Sequence, residues 1–450
     1  MTLNADIRLD FNFMMSEFAG GAGLSRDDVE AVRPQASQIH RGVQELRKLG
    51  QMPFLDLAHY TDDLKGLKTL ASELRSRCRK ALILGIGGSA LGPRLLVEAL
   101  GSEEGMDVEV CDSLDAEGWT RTAARSDPER TLLVVISKSG KTLETWAAFV
   151  YFFEKFRAAL GEKAWRQMVA VTDSEKGALR QLSQEKGFPC LKIPPGVGGR
   201  FSVLSPVGLL PAALAGADVD SLLAGARRME ERCATDDPWL NPALMSAILH
   251  ERFEVLRKRN IRVLISYAER FRSFGPWMAQ LWAESLGKSP MGGAKPPVGS
   301  TPVSSFGPRD QHSQLQLYLD GPADKIVTFL GIEEGAAERL SEAPDWARVL
   351  GEEAAQLSKK KIHELTDASR LATEEALRAR GRPNQTVLLK DGSAYDLGQL
   401  LLMCELETVY AGQLLGVNPF DQPAVEQIKR NVREFLTGKI TPSKSRNYMI

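Results

Sequence analysis

Two short strings in the first third of the chain combine glycine with hydroxyl side chains, which are groups that can bind an anion. In the first string, GIGGSALG at 85–92, glycines let backbone N–H groups approach a phosphate at the positive end of a helix. The string also fits the GxGxxA variant of the dinucleotide fingerprint, with Asp112 near the place of a ribose-binding acid. A turn that only lets a helix pack on its strand would use the same glycines. The string therefore leaves phosphate binding, dinucleotide binding and packing open.

The second string, SKSGKTLET at 137–145, also lies between a predicted strand and a predicted helix. Its hydroxyl groups and the backbone amides of a helix start suit a phosphate monoester. It is not a nucleotide P-loop, because that pattern needs glycine where this chain has Val135. Helix capping by Ser or Thr, with Glu144 nearby, would need no ligand. Two such strings on neighbouring strands favour a sugar monophosphate, since a dinucleotide needs only the first.

Two further segments carry charged side chains. Arg200 follows a flexible glycine turn at 196–199, where its permanent charge could face a developing negative oxygen, although a surface ion pair is the simpler alternative. Gln280, Glu284 and Lys288 recur every four residues, which predicts that they share one face of a helix. A pair between Glu284 and Lys288 would be an ordinary helix-stabilising contact, and it would leave the carboxylate no chemical role.

The last two strings are DQHSQ at 310–314 and NPFDQPAVEQIK at 418–429. His312 follows a loop rich in Gly, Pro and Asp and precedes a predicted strand, which is a suitable position for an acid–base group. Lys429 lies on a predicted amphipathic helix. Judged alone, the histidine is equally compatible with a structural role, and the lysine with a solvated helix face.

The composition limits the classes of partner. The 450 residues include 57 basic and 58 acidic side chains, a formal net charge of -1, so we expect neither nucleic acid nor a membrane surface as a partner. The five cysteines are scattered singly without a CxxC pair, which predicts neither a zinc site nor a disulfide framework. Reduced thiols and an N-terminus without a signal-peptide core favour a cytoplasmic location. The most apolar window, 201–217, is short and contains two prolines, so we expect no bilayer crossing.

Most of the candidate side chains lie on loops between predicted strands and helices. The strands are indicated by short apolar runs, which alternate along the chain with segments of helical spacing. The first group of predicted strands lies at 81–88, 108–112, 131–137, 168–173 and 190–194. Strands that alternate with helices are typical of a parallel sheet covered on both faces. The pattern restarts after a boundary at 236–238, with predicted strands at 261–267, 313–321, 325–332 and 386–393. We therefore expect two unequal α/β domains with helical segments at both ends.

Together and in this order, the strings resemble glucose-6-phosphate isomerases, a family built from two sugar-isomerase (SIS) domains. The resemblance covers residues 45–440 and rests on GIGGSALG, SKSGKTLET, GGRFSVLSPVGLLP, ESLGK, DQHSQLQLY and NPFDQPAVEQIK. It implies an α/β fold of two SIS-type domains, each a mostly parallel sheet flanked by helices. The implied divisions are an N-terminal helical segment at 1–60, a first SIS domain with the phosphate loops at 61–235, a second at 236–420, and a C-terminal helix and tail at 421–450. Lys141, where relatives usually carry Thr, departs from the pattern.

The resemblance also implies an activity and a role for each residue. The activity is the interconversion of glucose 6-phosphate and fructose 6-phosphate, through ring opening and an enediolate, in glycolysis and gluconeogenesis. Glu284 is the implied base between C1 and C2, Arg200 stabilises the enediolate, and His312 with Lys429 opens the ring. The implied substrate-binding residues are Gly88, Ser89, Ser137, Lys138, Ser139, Thr142, Gln280 and Gln422. No metal or other cofactor is implied, and a homodimer follows because His312 enters the site from the partner subunit.

Two other classes remain as alternatives. A NAD-dependent oxidoreductase would use the first string, but it leaves the second string, Arg200 and the strings around His312 and Lys429 unexplained. A non-catalytic SIS-type sugar-phosphate-binding protein would need only the phosphate-binding strings. The presence of Glu284, Arg200, His312 and Lys429 together argues against such a protein, since binding alone needs none of their roles.

Overall fold

Ten strands form two five-stranded sheets in the computed structural model, which describes residues 6–59, 61–140, 142–293, 296–341, 349 and 351–440. Lys141 and the tail from 441 lie outside these described residues. The strands are β1 Arg8–Asp10, β2 Lys80–Leu84, β3 Asp107–Cys111, β4 Thr131–Ser137, β5 Met168–Asp173, β6 Cys190–Ile193, β7 Ile261–Ser266, β8 Thr301–Phe306, β9 Lys325–Ile332 and β10 Asn384–Leu389.

Helices cover both sheets. In the first half they are α1 Ser16–Ala19, α2 Arg26–Glu30, α3 Arg33–Lys48, α4 Thr61–Arg77, α5 Leu91–Leu100, α6 Ala116–Ala124, α7 Leu143–Leu160, α8 Ala178–Lys186, α9 Pro206–Leu214 and α10 Val219–Arg232. The second half contains α11 Pro242–Arg257, α12 Phe274–Leu286, α13 Leu315–Asp320, α14 Gly351–Leu357, α15 Ile362–Ala379, α16 Ala394–Leu415 and α17 Pro423–Leu436. None of the helices in the described residues is both long enough and apolar enough to cross a bilayer.

The first sheet has the order β3-β2-β4-β5-β6, and every neighbouring pair is parallel. β4 is buried along its whole length, which is why its sequence TLLVVIS is a continuous apolar run instead of an alternating one. From β2 the chain goes to β3 on one side and then to β4 on the other, so the strand order reverses between β2 and β4. Such a reversal leaves a ligand-binding crevice at the carboxyl ends of the strands.

The second sheet has the order β1-β10-β9-β7-β8 and is parallel except for β1, which pairs antiparallel with β10. Its strand order reverses between β7 and β9. β1 comes from the N-terminal segment, so that segment also contributes the edge strand of this sheet. The mixed α/β class with two mostly parallel sheets is thus confirmed, while the domain boundaries at 60, 235 and 420 stay a prediction.

A helical layer joins the two sheets through one hydrophobic core. α16 is buried at nearly every residue and packs against α10 and α11. The core that surrounds it includes residues of β2 and β4 from the first sheet and of β7, β9 and β10 from the second. Because the two halves share this core, loops from both can meet at the carboxyl end of the first sheet.

Three elements differ from the sequence predictions: α13 replaces a predicted strand, and the strands β1 and β8 were not predicted. Alternation of leucine with polar residues at 313–321 predicts a strand, but Leu315–Asp320 forms α13. Tyr318 is buried and its hydroxyl donates to Gln314 Oε1 at 2.6 Å, a contact one helical turn back, whereas Leu317 is 51% exposed. The prediction that His312 precedes a strand is therefore wrong. β8 escaped prediction because it is a polar edge strand that pairs only with β7.

Candidate active site

The first loop, residues 85–89, leaves the carboxyl end of β2 and leads into α5. Gly87 has a φ of +57°, a left-handed conformation that glycine adopts without steric cost. A Cβ atom on Gly88 would lie only 2.3 Å from the carbonyl group of Gly199, and one on Gly87 would lie 3.1 Å from Nε2 of Gln280. The glycines therefore bring the first loop against the backbone just before Arg200 and against α12.

The second loop, residues 137–142, follows β4, the neighbour of β2, and ends at the start of α7. Ser137 is buried, and its hydroxyl lies 3.2 Å from that of Thr142. Trp146 on α7 donates to the carbonyl oxygen of Gly140 at 2.8 Å, which fixes the turn. Thr142 occupies the N-cap position of α7, but its side chain accepts no hydrogen bond from the helix. Capping by Thr142 is therefore wrong: among the described residues, its side chain leaves the first N–H groups of α7 without a cap hydrogen bond.

Lys138 ties the second loop to the glycine turn that precedes Arg200. Its Nζ donates to the carbonyl oxygen of Val197 at 2.7 Å. Ser89 ends the first loop half-buried, and Ser139 is exposed in the second. The predicted phosphate-binding residues thus gather where the strand order of the first sheet reverses. Asp112, the acid that the dinucleotide alternative requires, is paired with Arg94 (Nη2 to Oδ1, 2.9 Å).

Arg200 is 5% exposed, so it is not the surface ion pair that the sequence left open. Its guanidinium donates to four neutral acceptors: Nε to Ser285 Oγ at 2.7 Å, Nη1 to Gln422 Oε1 at 3.0 Å, and Nη2 to the carbonyl oxygens of Pro419 at 2.6 Å and Asp421 at 3.1 Å. Burial lowers the pKa of Arg200, against the opposing effects of Glu284 and Asp421. A buried arginine remains protonated at any physiological pH.

Glu284 is the carboxylate that faces this arginine. Its Oε1 lies 3.2 Å from Nη1 of Arg200, and its Oε2 accepts a hydrogen bond from Gln280 Nε2 at 3.0 Å, one turn earlier on α12. The side chain is 27% exposed, so one side of the carboxylate is open to a ligand. Lys288 does not pair with Glu284, because α12 ends at Leu286 and the lysine lies beyond the helix.

The C-terminal loop, residues 418–422, and α17 close the other side of the site. Gln422 reaches Arg200 directly, and Phe420 packs on Phe201 with ring centroids 5.4 Å apart. Lys429 on α17 lines a cleft of about 420 Å³ together with residues of both loops. The other lining residues are Ile86, Ser139, Thr142, Leu143, Glu144, Ile428, Val432 and Arg433. Lys429 and the second loop thus face one cleft.

His312 has no described contact with the two loops, with Arg200 and Glu284, or with the cleft that Lys429 lines. It is exposed in the turn Arg309–His312 and, within the described residues, it makes no hydrogen bond. The turn itself is firmly held, because Asp310 accepts hydrogen bonds from the Arg309 side chain and from the backbone N–H of Phe306. The hydrogen bond from Arg309, with that from Phe306, lowers the pKa of Asp310 to about 2.

Sequence reasoning missed Ser285 and Asp421 and expected Lys288 only as a partner of Glu284. Ser285 accepts a hydrogen bond from Arg200, Lys288 binds the C-terminal loop, and the carbonyl oxygen of Asp421 accepts from both Arg200 and Lys288. The ESLGK and NPFDQP strings contain Ser285, Lys288 and Asp421, so the strings marked the right segments. They do not show which atoms of these residues are in contact. Within the part of the chain that the structure describes, no group of three or more His, Cys, Asp or Glu side chains is placed to hold a metal ion.

The sequence matches the family described as phosphoglucose isomerase over residues 71–447. A relative from Carboxydothermus hydrogenoformans, named glucose-6-phosphate isomerase, is 36% identical and covers 94% of this chain and 93% of its own. Another of that name, from Rubrobacter xylanophilus, is 38% identical over 95% of this chain and 97% of its own. A solved structure of a hypothetical protein from Thermus thermophilus superposes with a TM-score of 0.88 and 34% identity, over 96% of this chain and all of the other (100%).

Proposed function

The chain belongs to the phosphoglucose isomerase family, and from this premise we propose how its residues catalyse the family's reaction. The protein is an aldose–ketose isomerase that interconverts glucose 6-phosphate and fructose 6-phosphate. The observation that best supports our assignment of residues is the contact between Glu284 and the buried Arg200, at 3.2 Å beside the two loops. A carboxylate base and a fixed cation are the two groups that an enediolate mechanism requires.

The two loops hold the phosphate in this proposal. The hydroxyls of Ser89, Ser137, Ser139 and Thr142, with Lys138 nearby, and the uncapped start of α7 offer donors to a dianion. Gly88 permits this arrangement because the first loop approaches the backbone of Gly199 too closely for any side chain. Binding energy at the phosphate, remote from the reacting carbons, would then orient the sugar for the proton transfer.

Glu284 moves the proton. It removes the proton from C2 of the open aldose, the electrons of that C–H bond form the C1=C2 double bond, and the negative charge develops on O1. Once the O2 proton has passed to O1, the carboxyl returns its proton to C1, and the ketose results with no atom gained or lost. Gln280 orients the carboxylate through its 3.0 Å hydrogen bond.

Arg200 stabilises the charge that forms on oxygen. Its guanidinium is held by neutral acceptors and a single carboxylate, that of Glu284. When Glu284 takes the substrate proton it becomes neutral, and the positive charge of Arg200 then faces the oxyanion. A preorganised cation of this kind is worth about 3 kcal/mol of transition-state stabilisation. Gln422, bonded to Nη1, fixes the side of the guanidinium that faces Glu284.

His312 and Lys429 open the sugar ring in our proposal, with His312 supplied by the partner subunit of a homodimer. Lys429 already lines the cleft, whereas His312 is exposed on its own subunit, as a residue that serves a neighbour would be. We also propose a cytoplasmic location and a role in glycolysis and gluconeogenesis. The five unpaired cysteines support a reducing compartment.

A coupled assay tests the activity and its base together. Purified protein is given fructose 6-phosphate, and glucose 6-phosphate is followed with a glucose-6-phosphate dehydrogenase. We expect rapid turnover that a chelator leaves unchanged, and a loss on the order of 10⁴-fold in Glu284→Gln. A folded wild-type protein that binds the sugar phosphate without turnover would instead indicate a sugar-phosphate sensor.

Subunit complementation tests the placement of His312. Glu284→Gln and His312→Ala are each purified, unfolded together and refolded as a mixture. A mixed dimer then contains one site with an intact Glu284 and the partner's intact His312, so about a quarter of the wild-type activity should return. No recovery from mixed dimers shown to have formed would place His312 in its own subunit's site or outside any site.

A further inference from the structure

The ammonium group of Lys288 donates all its hydrogen bonds to the C-terminal loop. Nζ donates to the carbonyl oxygen of Asn418 at 2.8 Å, to that of Asp421 at 2.6 Å, and to the carboxylate Oδ1 of Asp421 at 2.7 Å. An ammonium group has three donors, and all three have acceptors on this loop. The lysine backbone is equally fixed, because its carbonyl oxygen accepts from the N–H of Val298 at 3.0 Å. Lys288 is therefore held in place by its side chain and its backbone, just beyond the end of α12, the helix that contains Glu284.

The same loop is held from its other side by Arg200. The carbonyl oxygen of Asp421 accepts from both cations, at 2.6 Å from Lys288 Nζ and 3.1 Å from Arg200 Nη2. Lys288 and Arg200 therefore share the carbonyl oxygen of Asp421 as an acceptor. The side-chain carboxylate of the same residue lies near both cations. In the structure this carboxylate is paired with Lys288 and not with Arg200.

The alternative pairing would change the chemistry of the site. Asp421 is close enough to Arg200 to raise its pKa against the effect of burial. If the carboxylate turned to Arg200, the guanidinium would face two carboxylates, those of Asp421 and Glu284. Two negative charges would then outnumber its one positive charge before any oxyanion formed, which weakens its preference for the transition state.

We propose that Lys288 is a positioning residue that keeps the Asp421 carboxylate away from Arg200, and so leaves the guanidinium available to the reacting oxygen. This inference rests on the function proposed above for Arg200 and Glu284. It assigns to Lys288 an effect on turnover and not on phosphate binding, because the ammonium group spends its three hydrogen bonds on the C-terminal loop and not on the phosphate loops.

A double-mutant cycle tests the proposal. Lys288→Met leaves Asp421 free to pair with Arg200, and kcat should fall about 50-fold while the KM for fructose 6-phosphate changes less than about twofold. Asp421→Asn alone should lose about threefold, since a neutral amide does not compete for the guanidinium. The double variant should lose only about fivefold, which is about tenfold better than Lys288→Met.

Lys80→Met is the matched control. Lys80 is, like Lys288, a 13% exposed lysine paired with carboxylates, at 2.6 Å from Glu109 and 3.4 Å from Asp107. It lies at the amino end of β2, opposite to the first loop. Its replacement should cost stability as much as Lys288→Met does, and should leave kcat within about twofold of the wild type.

Each outcome decides one question. Wild-type protein without isomerase activity would remove the proposed function itself. Active wild type with Lys288→Met no slower than Lys80→Met would overturn the role of Lys288. Losses that multiply in the double variant would also overturn it, because they show that Lys288 does not act through Asp421. If Lys288→Met does not fold, the test is the comparison of the double variant with Asp421→Asn. We expect the kcat values of these two variants to lie within about threefold of each other, and a larger difference contradicts the proposal.

Discussion

Two buried arginines stand at the carboxyl ends of the two sheets, and they differ in what surrounds them. Arg370 in the second half bonds two carboxylates, Asp367 and Glu374, and these outweigh burial and raise its pKa. Arg200 has one carboxylate partner and otherwise neutral acceptors, and burial lowers its pKa. A doubly compensated arginine stabilises the fold, whereas a singly compensated one, whose partner is the proposed base, is left charged for a ligand once that base takes a proton.

The surroundings repeat this contrast. The crevice of the second sheet, between β7 and β9, is a cleft of about 750 Å³. Two charged side chains of its lining, those of Arg370 and Asp367, are paired with each other. The crevice of the first sheet has glycine and hydroxyl loops instead, and α12 and the C-terminal loop bring the charged groups from the other half. The same topology therefore makes two crevices, and in our proposal the loop sequences decide that the first one binds the phosphate.

The largest effect should come from replacing the singly compensated arginine. Arg200→Lys should lower kcat about 10³-fold, because a lysine cannot reach Ser285, Gln422 and the loop carbonyls at once and still face the oxyanion. Steady-state kinetics with fructose 6-phosphate measures it. A kcat close to that of the wild type would mean that any nearby cation suffices and that the arrangement around Arg200 is not catalytic.

The second-largest effect on activity, after that of Arg200→Lys, is expected where the first loop contacts the backbone that precedes Arg200. In Gly88→Ala the new methyl group would lie 2.3 Å from Gly199, so the loop must move, and kcat/KM should fall about 10²-fold. Gly42→Ala is the matched control: a Cβ there meets nothing within 4 Å in α3. It should leave activity unchanged and raise stability by about 0.5–1 kcal/mol. Equal activities would contradict the close approach.

Thr142→Val should act on phosphate binding alone. The substitution keeps the shape of the side chain and removes the hydroxyl that faces Ser137 at 3.2 Å. Loss of one hydrogen bond to a charged group should raise KM about tenfold and change kcat less than about threefold. The opposite pattern, a lower kcat at constant KM, would place this loop at the reacting carbons instead of the phosphate.

The smallest effect on turnover should come from Arg370. Arg370→Met leaves Asp367 and Glu374 without their partner, so the free energy of unfolding should fall by about 3 kcal/mol. The kcat of the folded protein should stay within about twofold of the wild type, because our proposal gives the second crevice no part in the reaction. Denaturant unfolding and kinetics on one preparation measure both. A large loss of kcat at moderate temperature would show that this crevice serves the site.

The sequence predicted the parts that depend on local patterns. The apolar runs of β2, β4, β5, β7 and β9 and the two glycine and hydroxyl loops lie where the patterns placed them. It could not show that Arg200 is buried or that Lys288 binds Asp421 instead of Glu284, since both depend on residues more than 80 and 130 positions away. α13 was misread because leucines at alternate positions satisfy a strand, and only packing of Tyr318 decides for a helix.

The most direct test of the central claim, that Glu284 transfers the proton beside Arg200, is the isomerisation of fructose 6-phosphate in D₂O with NMR of the product. A carboxylate base exchanges its proton with solvent, so we expect deuterium at C2 of glucose 6-phosphate from the wild type and from Arg370→Met. Glu284→Gln should give neither product nor exchange. Product formed by Glu284→Gln at a rate near that of the wild type, or exchange that survives in this variant, would contradict proton transfer by this residue.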